Sequence, residues 1–97
     1  MTSYELSPRA RADLSEIWDY TAETWGAEQA DRYVRQIAAT CADLATGRKQ
    51  GRSIEDIRAG YLKCAAGAHV LFYRVSQVGT IEVMRVLHRR MDAGRHL

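Results

Sequence analysis

The residues of this sequence that are best suited to chemistry lie in its last third. His88 directly follows an apolar, strand-like run, and Arg89 and Arg90 come next. An imidazole titrates near neutral pH and can act as a general acid or base, while a basic cluster attracts anionic partners. Two strand-like runs joined by a short polar turn precede the cluster, and such a hairpin is a stiff mount for the residues after it. The cluster therefore fits either a small enzyme that acts on a polyanion or a protein that works by binding.

The sequence lacks the patterns of metal, cofactor and nucleophile sites. Its three histidines, His69, His88 and His96, have no metal-ligand spacing with a carboxylate or a cysteine. There is no glycine-rich phosphate loop, and the serines lack the neighbours of a nucleophile elbow. His69 alternates with apolar residues, which favours a partly buried imidazole with satisfied hydrogen bonds. We therefore expect no metal, no cofactor and no catalytic residue.

A ribonuclease is the enzymatic alternative. Cleavage by attack of a 2′-hydroxyl needs a base, an acid and cations on the phosphate. The candidates for this set are Lys63, Arg74, Arg85, His88 and Arg90. The same basic side chains would equally serve a binding surface. The segment after Leu87 also contains no tyrosine, which could have stacked on a base and shared the acid–base work.

Charge is spread unevenly along the 97 residues. Residues 1–46 carry four Arg and Lys against eight Asp and Glu, a net charge of −4, whereas residues 47–97 carry ten against four, a net charge of +6. This split indicates two faces with different partners, although an unevenly solvated surface would give the same count. The length and the 46% of hydrophobic residues predict one globular domain over residues 1–97.

Hydrophobic periodicity predicts two helices followed by strands. Ser7 and Pro8 form a helix start, because serine caps free N–H groups and proline fits the first helical position. Apolar residues at helical spacing run from there to Gly26, and a second set runs to Gly47. The predicted strands are residues 3–6, 57–64, 68–75 and 80–87, with a basic loop at 48–53.

These elements predict an α+β fold in the order β-α-α-β-β-β. An antiparallel sheet would carry the N-terminal helix hairpin, packed on one face. We expect the first strand to join the same sheet, with its neighbour left open. The last strand alternates with a period of two, so one face should carry Ile81, Val83, Arg85 and Leu87, and the other Glu82, Met84 and Val86. Both faces are largely apolar, which predicts a central strand.

Large aromatic side chains are concentrated on the predicted helix hairpin. They are Trp18, Tyr20, Trp25 and Tyr33. Two antiparallel helices present a groove into which a partner helix can lay its apolar face. Packing in the protein core is the alternative interpretation of each residue.

The remaining features indicate an intracellular setting. Cys41 and Cys64 have no CxxC spacing and fall on apolar positions, so we expect two buried, unpaired thiols. The N-terminal segment has no apolar signal-peptide region, and no run approaches membrane-spanning length. We therefore expect a cytoplasmic protein with no membrane contact.

Six short motifs resemble one toxin family. They are Y-x-L-S-x-x-A-x-x-D-L at 4–14, I-W-x-Y at 17–20, W-G-x-E-x-A at 25–30, R-A-G-Y at 58–61, H-V-x-F-Y-R-V at 69–75 and R-V-L-H at 85–88. Their order, spacing and near end-to-end coverage resemble the ParE branch of the RelE/ParE toxin superfamily.

The resemblance implies the toxin of a type II toxin–antitoxin system. Its partner would be a ParD-like antitoxin, which has a ribbon-helix-helix part and a C-terminal segment that wraps the toxin in a hetero-oligomer. ParE-like toxins inhibit DNA gyrase, whereas RelE-like relatives cut mRNA in the ribosomal A site. The tail HRRMDAGRHL has no tyrosine, which favours the ParE branch and a non-enzymatic inhibitor. A RelE-type endoribonuclease is the alternative.

The resemblance also divides the candidate residues between two partners. We expect antitoxin binding by Trp18, Trp25 and Tyr33. We expect target binding, and hence toxicity, from His88, Arg89, Arg90 and Arg95. Contact with DNA would occur only through the antitoxin.

Overall fold

The N-terminal part of the chain forms a short strand and two long helices. The computed structural model describes residues 3–97. Strand β1 spans Tyr4–Leu6, helix α1 spans Pro8–Trp25 and helix α2 spans Ala27–Thr46. The Ser7 hydroxyl caps α1 by accepting the Ala10 N–H at 3.0 Å, and it donates to the Met84 carbonyl at 2.8 Å. The cap therefore fixes the start of α1 on the sheet as well as satisfying a free helix N–H.

The remaining elements complete one five-stranded sheet. They are β2 at Arg52–Ser53, β3 at Leu62–Ala66, β4 at His69–Val75, β5 at Ile81–His88 and the short helix α3 at Ala93–His96. The strand order is β1-β5-β4-β3-β2. The α+β class with an N-terminal helix hairpin is confirmed, and β5 is an inner strand as predicted. Strand β1 pairs with β5 in parallel, so β5 is the neighbour that the sequence analysis leaves open. The other pairings are antiparallel.

Two boundaries differ from the sequence prediction. The strand predicted at residues 57–64 begins only at Leu62, because residues 54–61 form a turn-rich loop closed by the Ile54 N–H bond to the Tyr61 carbonyl at 2.9 Å. The predicted basic loop at 48–53 ends in the two-residue strand β2, which pairs with the beginning of β3. Helix α3 is an element that the sequence patterns do not predict.

A β-bulge changes which residues of β5 face the helices. Pairing with β4 shifts register between Phe72 and Tyr73, so that one additional residue of β5 is accommodated. After the bulge, Val86 rather than Leu87 joins Ile81 and Val83 in the core beneath the helices. The predicted grouping of Leu87 with Ile81 and Val83 is therefore wrong, because strict alternation does not persist through a bulge.

Both faces of the sheet are partly covered. The helix hairpin packs on one face around Ile37, Leu71 and Val83. On the other face, Tyr61 of the 54–61 loop and Leu97 next to α3 belong to a second apolar cluster. The end of the chain is thus part of the folded domain. Among the helices of residues 3–97, none is long and apolar enough to cross a membrane.

Candidate functional site

Two adjoining hollows form a groove along α1, which we call the α1 groove. One hollow, of about 290 Å³, is lined by Tyr20, Trp25, Tyr33, His69 and His88 among others. The second, of about 320 Å³, shares Tyr20, His69 and His88 and continues past Glu16, Arg85 and Met91. The α1 groove therefore joins the aromatic end of the helix hairpin to the end of β5.

Exposed aromatic side chains form one wall of the α1 groove. Trp25 is 72% exposed and Tyr20 is 68% exposed, whereas Ile17 and Thr21 on the neighbouring face of α1 are buried. Large exposed aromatic groups placed together are characteristic of a binding surface, because they offer much apolar area at low entropic cost. This part of the groove is suited to a partly apolar partner.

Hydrogen bonds fix the floor of the α1 groove. The Tyr33 hydroxyl accepts the Ala68 N–H at 3.0 Å and lies 2.6 Å from Nδ1 of His69. We assign the single hydroxyl proton to the bond with Nδ1, which leaves the ring proton of His69 on Nε2. Gly67 allows this approach, because a Cβ there would lie 2.9 Å from the Tyr33 ring. Tyr33 therefore joins α2 to the turn before β4.

The two half-buried histidines of the groove lie against each other. The His69 and His88 rings meet edge to face, with their centroids 5.3 Å apart. Burial lowers the pKa of His69, and the neighbouring imidazole of His88 lowers it further, because two adjacent positive rings would repel each other. His69 is therefore neutral at pH 7. Nδ1 of His88 accepts the Arg90 N–H at 3.2 Å, which orients this ring. The turn after β5 that carries Arg89 and Arg90, which we call the basic turn, begins here.

A partly buried ion pair fastens α1 to β5. Arg85 donates from Nε to Oδ2 of Asp13 at 2.8 Å and from a terminal nitrogen to Oδ1 at 3.0 Å. The same carboxylate accepts the Val86 N–H at 2.9 Å, and Arg85 also donates to the His96 carbonyl at 2.9 Å. The hydrogen bonds to Asp13 raise the pKa of Arg85. This pair therefore holds α1, β5 and α3 in one arrangement.

The structure separates the residues that were predicted for antitoxin binding. Trp25 and Tyr33 line the α1 groove, but Tyr33 has its hydroxyl engaged in the floor. Trp18 instead donates its indole N–H to Asp31 at 2.8 Å, which ties α1 to α2. Its geometry is that of a brace within the hairpin.

The residues predicted for target binding also divide. His88 lines the α1 groove, and the Arg89 N–H donates to the Ala68 carbonyl at 2.9 Å, so the turn starts at the groove. The side chains of Arg89 and Arg90 are exposed. Arg95 lies on α3 with its side chain 84% exposed and 3.9 Å from Asp92. Arg95 thus belongs to the segment that covers the other face of the sheet.

Two cations of the candidate nuclease set form ion pairs within the protein. Arg85 is bound by Asp13, and Arg74 donates to Glu82 at 2.8 Å. Within residues 3–97, no three His, Cys, Asp or Glu side chains come together in a way that could hold a metal ion. The described geometry is that of a binding groove beside a basic turn.

Sequence reasoning misses two residues of this site. The sequence presents Tyr20 only as one aromatic group of the hairpin, because its exposure depends on how α1 lies on the sheet. Asp13 carries no motif of its own, although it lies beside the buried stripe of α1 that contains Ala10, Leu14 and Ile17. A carboxylate bordering such a stripe is the available signal for an ion pair with the sheet.

Comparison with known proteins identifies the family. The family described as the ParE toxin of the type II toxin–antitoxin system parDE matches residues 4–93. Toxin ParE1 of Mycobacterium tuberculosis is 50% identical over 94 residues, which cover 97% of this chain and 96% of that protein. Toxin ParE1 of Caulobacter vibrioides is 47% identical over 97 residues, which cover all of this chain and 99% of the relative.

Solved structures share the fold. A chain of a structure described as the chromosomal ParDE TA system from P. aeruginosa superposes with a TM-score of 0.77 at 24% identity, covering 91% of this chain and 96% of that one. A chain of the toxin–antitoxin complex RelBE2 from Mycobacterium tuberculosis gives a TM-score of 0.58 at 21% identity, covering 93% of each. The family match over residues 4–93 and the relatives named Toxin ParE1 show that the chain belongs to the ParE toxin family of type II toxin–antitoxin systems.

Proposed function

We propose that this ParE-type toxin inhibits DNA gyrase by binding, without catalysis of its own, and that a ParD-like antitoxin neutralises it in a hetero-oligomer. The observation that carries the proposal is the α1 groove, whose exposed aromatic wall ends at His88 and the basic turn. A binding groove of this kind accounts for both a partner and a nearby target surface. The protein would act in the cytoplasm, where gyrase and DNA are found.

The antitoxin contributes an amphipathic helix to the α1 groove. Trp25 and Tyr20 supply the exposed apolar area on which such a helix can pack, and His69 and His88 supply polar groups at its other end. Trp25 is the expected hot spot, while Tyr33 acts by holding the floor in place. Trp18, through its bond to Asp31, acts on the same surface by bracing the hairpin.

An antitoxin bound in the α1 groove would neutralise the toxin because the groove lies next to the basic turn. His88 lines the groove and starts the turn that carries Arg89 and Arg90, so a helix in the groove covers or borders the target-binding residues. An acidic end of that helix would meet the exposed guanidinium groups. Arg95 is an exposed cation on α3 and is a further candidate for target binding.

Gyrase is the better-supported target, and mRNA in the ribosome is the alternative. The ParE motifs and the membership of the ParE family favour gyrase, the target that the resemblance implies. A RelE-type nuclease would need cations on the phosphate, yet Arg74 and Arg85 are held by carboxylates. The segment after Leu87 also lacks a tyrosine.

Controlled expression of the chain in a bacterium tests the target. We expect growth arrest with filamentation, a DNA-damage response and intact mRNA. The double variant Arg89→Ala/Arg90→Ala should lose the DNA-damage response. The matched control Arg32→Ala/Arg35→Ala removes the same charge from exposed positions of α2 and should stay toxic.

Two results would contradict the proposal. Arrest with mRNA cut within coding frames, and no DNA damage, would mean the endoribonuclease alternative. Full toxicity of Arg89→Ala/Arg90→Ala would remove the basic turn from the target surface. Arg95→Ala, tested separately, decides whether α3 belongs to that surface.

A further inference from the structure

A third hollow, which is basic and separate from the α1 groove, lies at the β2–β3 end of the sheet. Its volume is about 380 Å³, and its lining includes Gln50, Arg52, Lys63 and Val70. These residues differ from those of the α1 groove. The second apolar cluster, which Tyr61 and Leu97 help to form, contains Val70 at its border, so the hollow continues the sheet face that faces away from the helix hairpin.

Two positive side chains oppose each other across this hollow. Arg52 and Lys63 are direct partners in the antiparallel pairing of β2 with β3. Directly opposite residues of such a pair point to the same face with Cβ atoms about 5 Å apart, and like charges there are destabilising. Neither side chain forms a salt bridge or hydrogen bond within residues 3–97. The nearby Glu55 carboxylate accepts the Gly60 N–H at 2.8 Å.

Further positive charge lies on the segment before β2. Arg48 and Lys49 are exposed on the segment that leads into β2. Burial raises the pKa of the Cys64 thiol, and the charge of Lys49 opposes that rise, so the Lys49 ammonium lies near a residue that lines the hollow. Arg52 and Lys63 line the hollow, Arg48 and Lys49 precede it in the chain, and no carboxylate is bound to any of the four in the part of the chain that the structure describes. A bound anion would relieve their repulsion.

The composition of the surface distinguishes between classes of anionic partner. Protein interfaces are anchored by exposed aromatic groups, and single-stranded nucleic acids stack on them. Here the nearby aromatic residues Tyr61, Phe72 and Tyr73 are buried, and the Tyr73 hydroxyl accepts the Gly51 N–H at 2.9 Å. Cations without an aromatic platform suit the backbone phosphates of a duplex, which are bound without reading sequence.

We propose that Arg52 and Lys63, together with the exposed Arg48 and Lys49 of the segment before β2, bind the phosphate backbone of duplex DNA. Arg52 and Lys63 would hold one phosphate between them, and Arg48 and Lys49 would contact the neighbouring phosphates. The family resemblance implies contact with DNA only through the antitoxin. This surface adds a direct contact between the toxin and DNA. The inference goes beyond the proposed function and holds whichever protein the basic turn binds.

Fluorescence anisotropy with the purified 97-residue toxin alone tests this inference. The probes are a labelled 20-base-pair duplex of random sequence, one of its single strands and a polyglutamate peptide, each titrated at several salt concentrations. Arg52→Ala/Lys63→Ala should weaken duplex binding by roughly 8-fold at 0.1 M salt, since the loss of one phosphate contact changes log K by about 0.9. The slope of log K against log salt should fall by about 1.

A matched control distinguishes a loss of DNA binding at this surface from a loss caused by lower net charge. Arg32→Ala/Arg35→Ala removes two exposed charges from α2 and should bind duplex like the wild type. Removing the Arg52–Lys63 repulsion should leave the melting temperature unchanged or higher, which excludes misfolding as the cause of lost binding. Unchanged duplex binding by Arg52→Ala/Lys63→Ala would overturn the inference, as would an equal loss in the α2 variant. Tighter binding of polyglutamate or of the single strand than of the duplex would also overturn it.

Discussion

Removal of the Asp13 carboxylate should destabilise the toxin more than any surface charge deletion. Asp13→Ala leaves the Arg85 guanidinium without its partner and the Val86 N–H without its acceptor. Breaking a buried ion pair from one side costs about 3–5 kcal/mol. Asp13 and Arg85 retain 11% and 12% side-chain exposure, so water can partly compensate, and we expect the lower end, about 3 kcal/mol.

Urea unfolding followed by tryptophan fluorescence measures this free energy. For a domain of this size, about 3 kcal/mol corresponds to a melting temperature at least roughly 12 °C lower. Glu23→Ala is the matched control, because it removes an exposed carboxylate from the same helix and should change stability by less than about 0.5 kcal/mol.

A double-mutant cycle identifies the interaction itself. Arg85→Ala in the Asp13→Ala background removes the unpaired charge, so the double variant should lose about 1–3 kcal/mol less than the sum of the two single losses. Additive losses would refute the reasoning, because they would mean that the two side chains do not stabilise each other. Equal stability of Asp13→Ala and Glu23→Ala would refute it as well.

Three further perturbations separate binding from folding. Trp25→Ala should weaken antitoxin binding by about 2 kcal/mol or more in calorimetry while changing the free energy of unfolding by less than about 0.5 kcal/mol. Val78→Ala is its control, because it truncates an exposed apolar side chain that does not line the α1 groove, and an equal loss of affinity in both variants would argue against the groove. Gly67→Ala should lower stability by about 1–3 kcal/mol in urea unfolding, because its φ is 61° and the new Cβ would lie 2.9 Å from the Tyr33 ring; wild-type stability would contradict this. Because burial and a neighbouring imidazole lower the pKa of His69 below its ordinary 6.5, the unfolded chain binds this proton first, and stability should fall as pH drops through 6.5. The stability of His69→Gln should therefore fall less than that of the wild type over this pH range. Identical pH profiles of the two proteins would refute the role of His69.

Local signals in the sequence were sufficient for the helices and the inner strands. Ser7 and Pro8 act on their nearest neighbours, and Gly47 ends α2 with a φ of 81°, so each boundary depends on a few adjacent residues. Period-two apolar runs likewise located β4 and β5. Such short-range effects are what single-sequence patterns contain.

Features that depend on pairing between distant segments were not accessible in this way. The β5 bulge arises from its register with β4, so alternation alone assigned Leu87 to the wrong face. The parallel neighbour of β1 was left open for the same reason. The opposition of Arg52 and Lys63 also exists only once β2 and β3 are aligned.

The candidate site was predictable by residue type but not by arrangement. Trp25, Tyr33 and His88 were assigned to two different partners, and the fold brings all three to the α1 groove. Tyr20 joins them from the exposed face of α1. Composition identified the aromatic and basic residues, whereas their proximity depends on the packing of helices on strands.

Gyrase supercoiling by purified components tests the central claim most directly. We predict that the toxin inhibits supercoiling, that an equimolar amount of the cognate antitoxin restores it, and that Tyr20→Ala/Trp25→Ala toxin inhibits equally but needs much more antitoxin for the same restoration. Uninhibited supercoiling in the presence of folded toxin would contradict gyrase as the target. Restoration of the double variant by the same amount of antitoxin would contradict the α1 groove as the site of neutralisation.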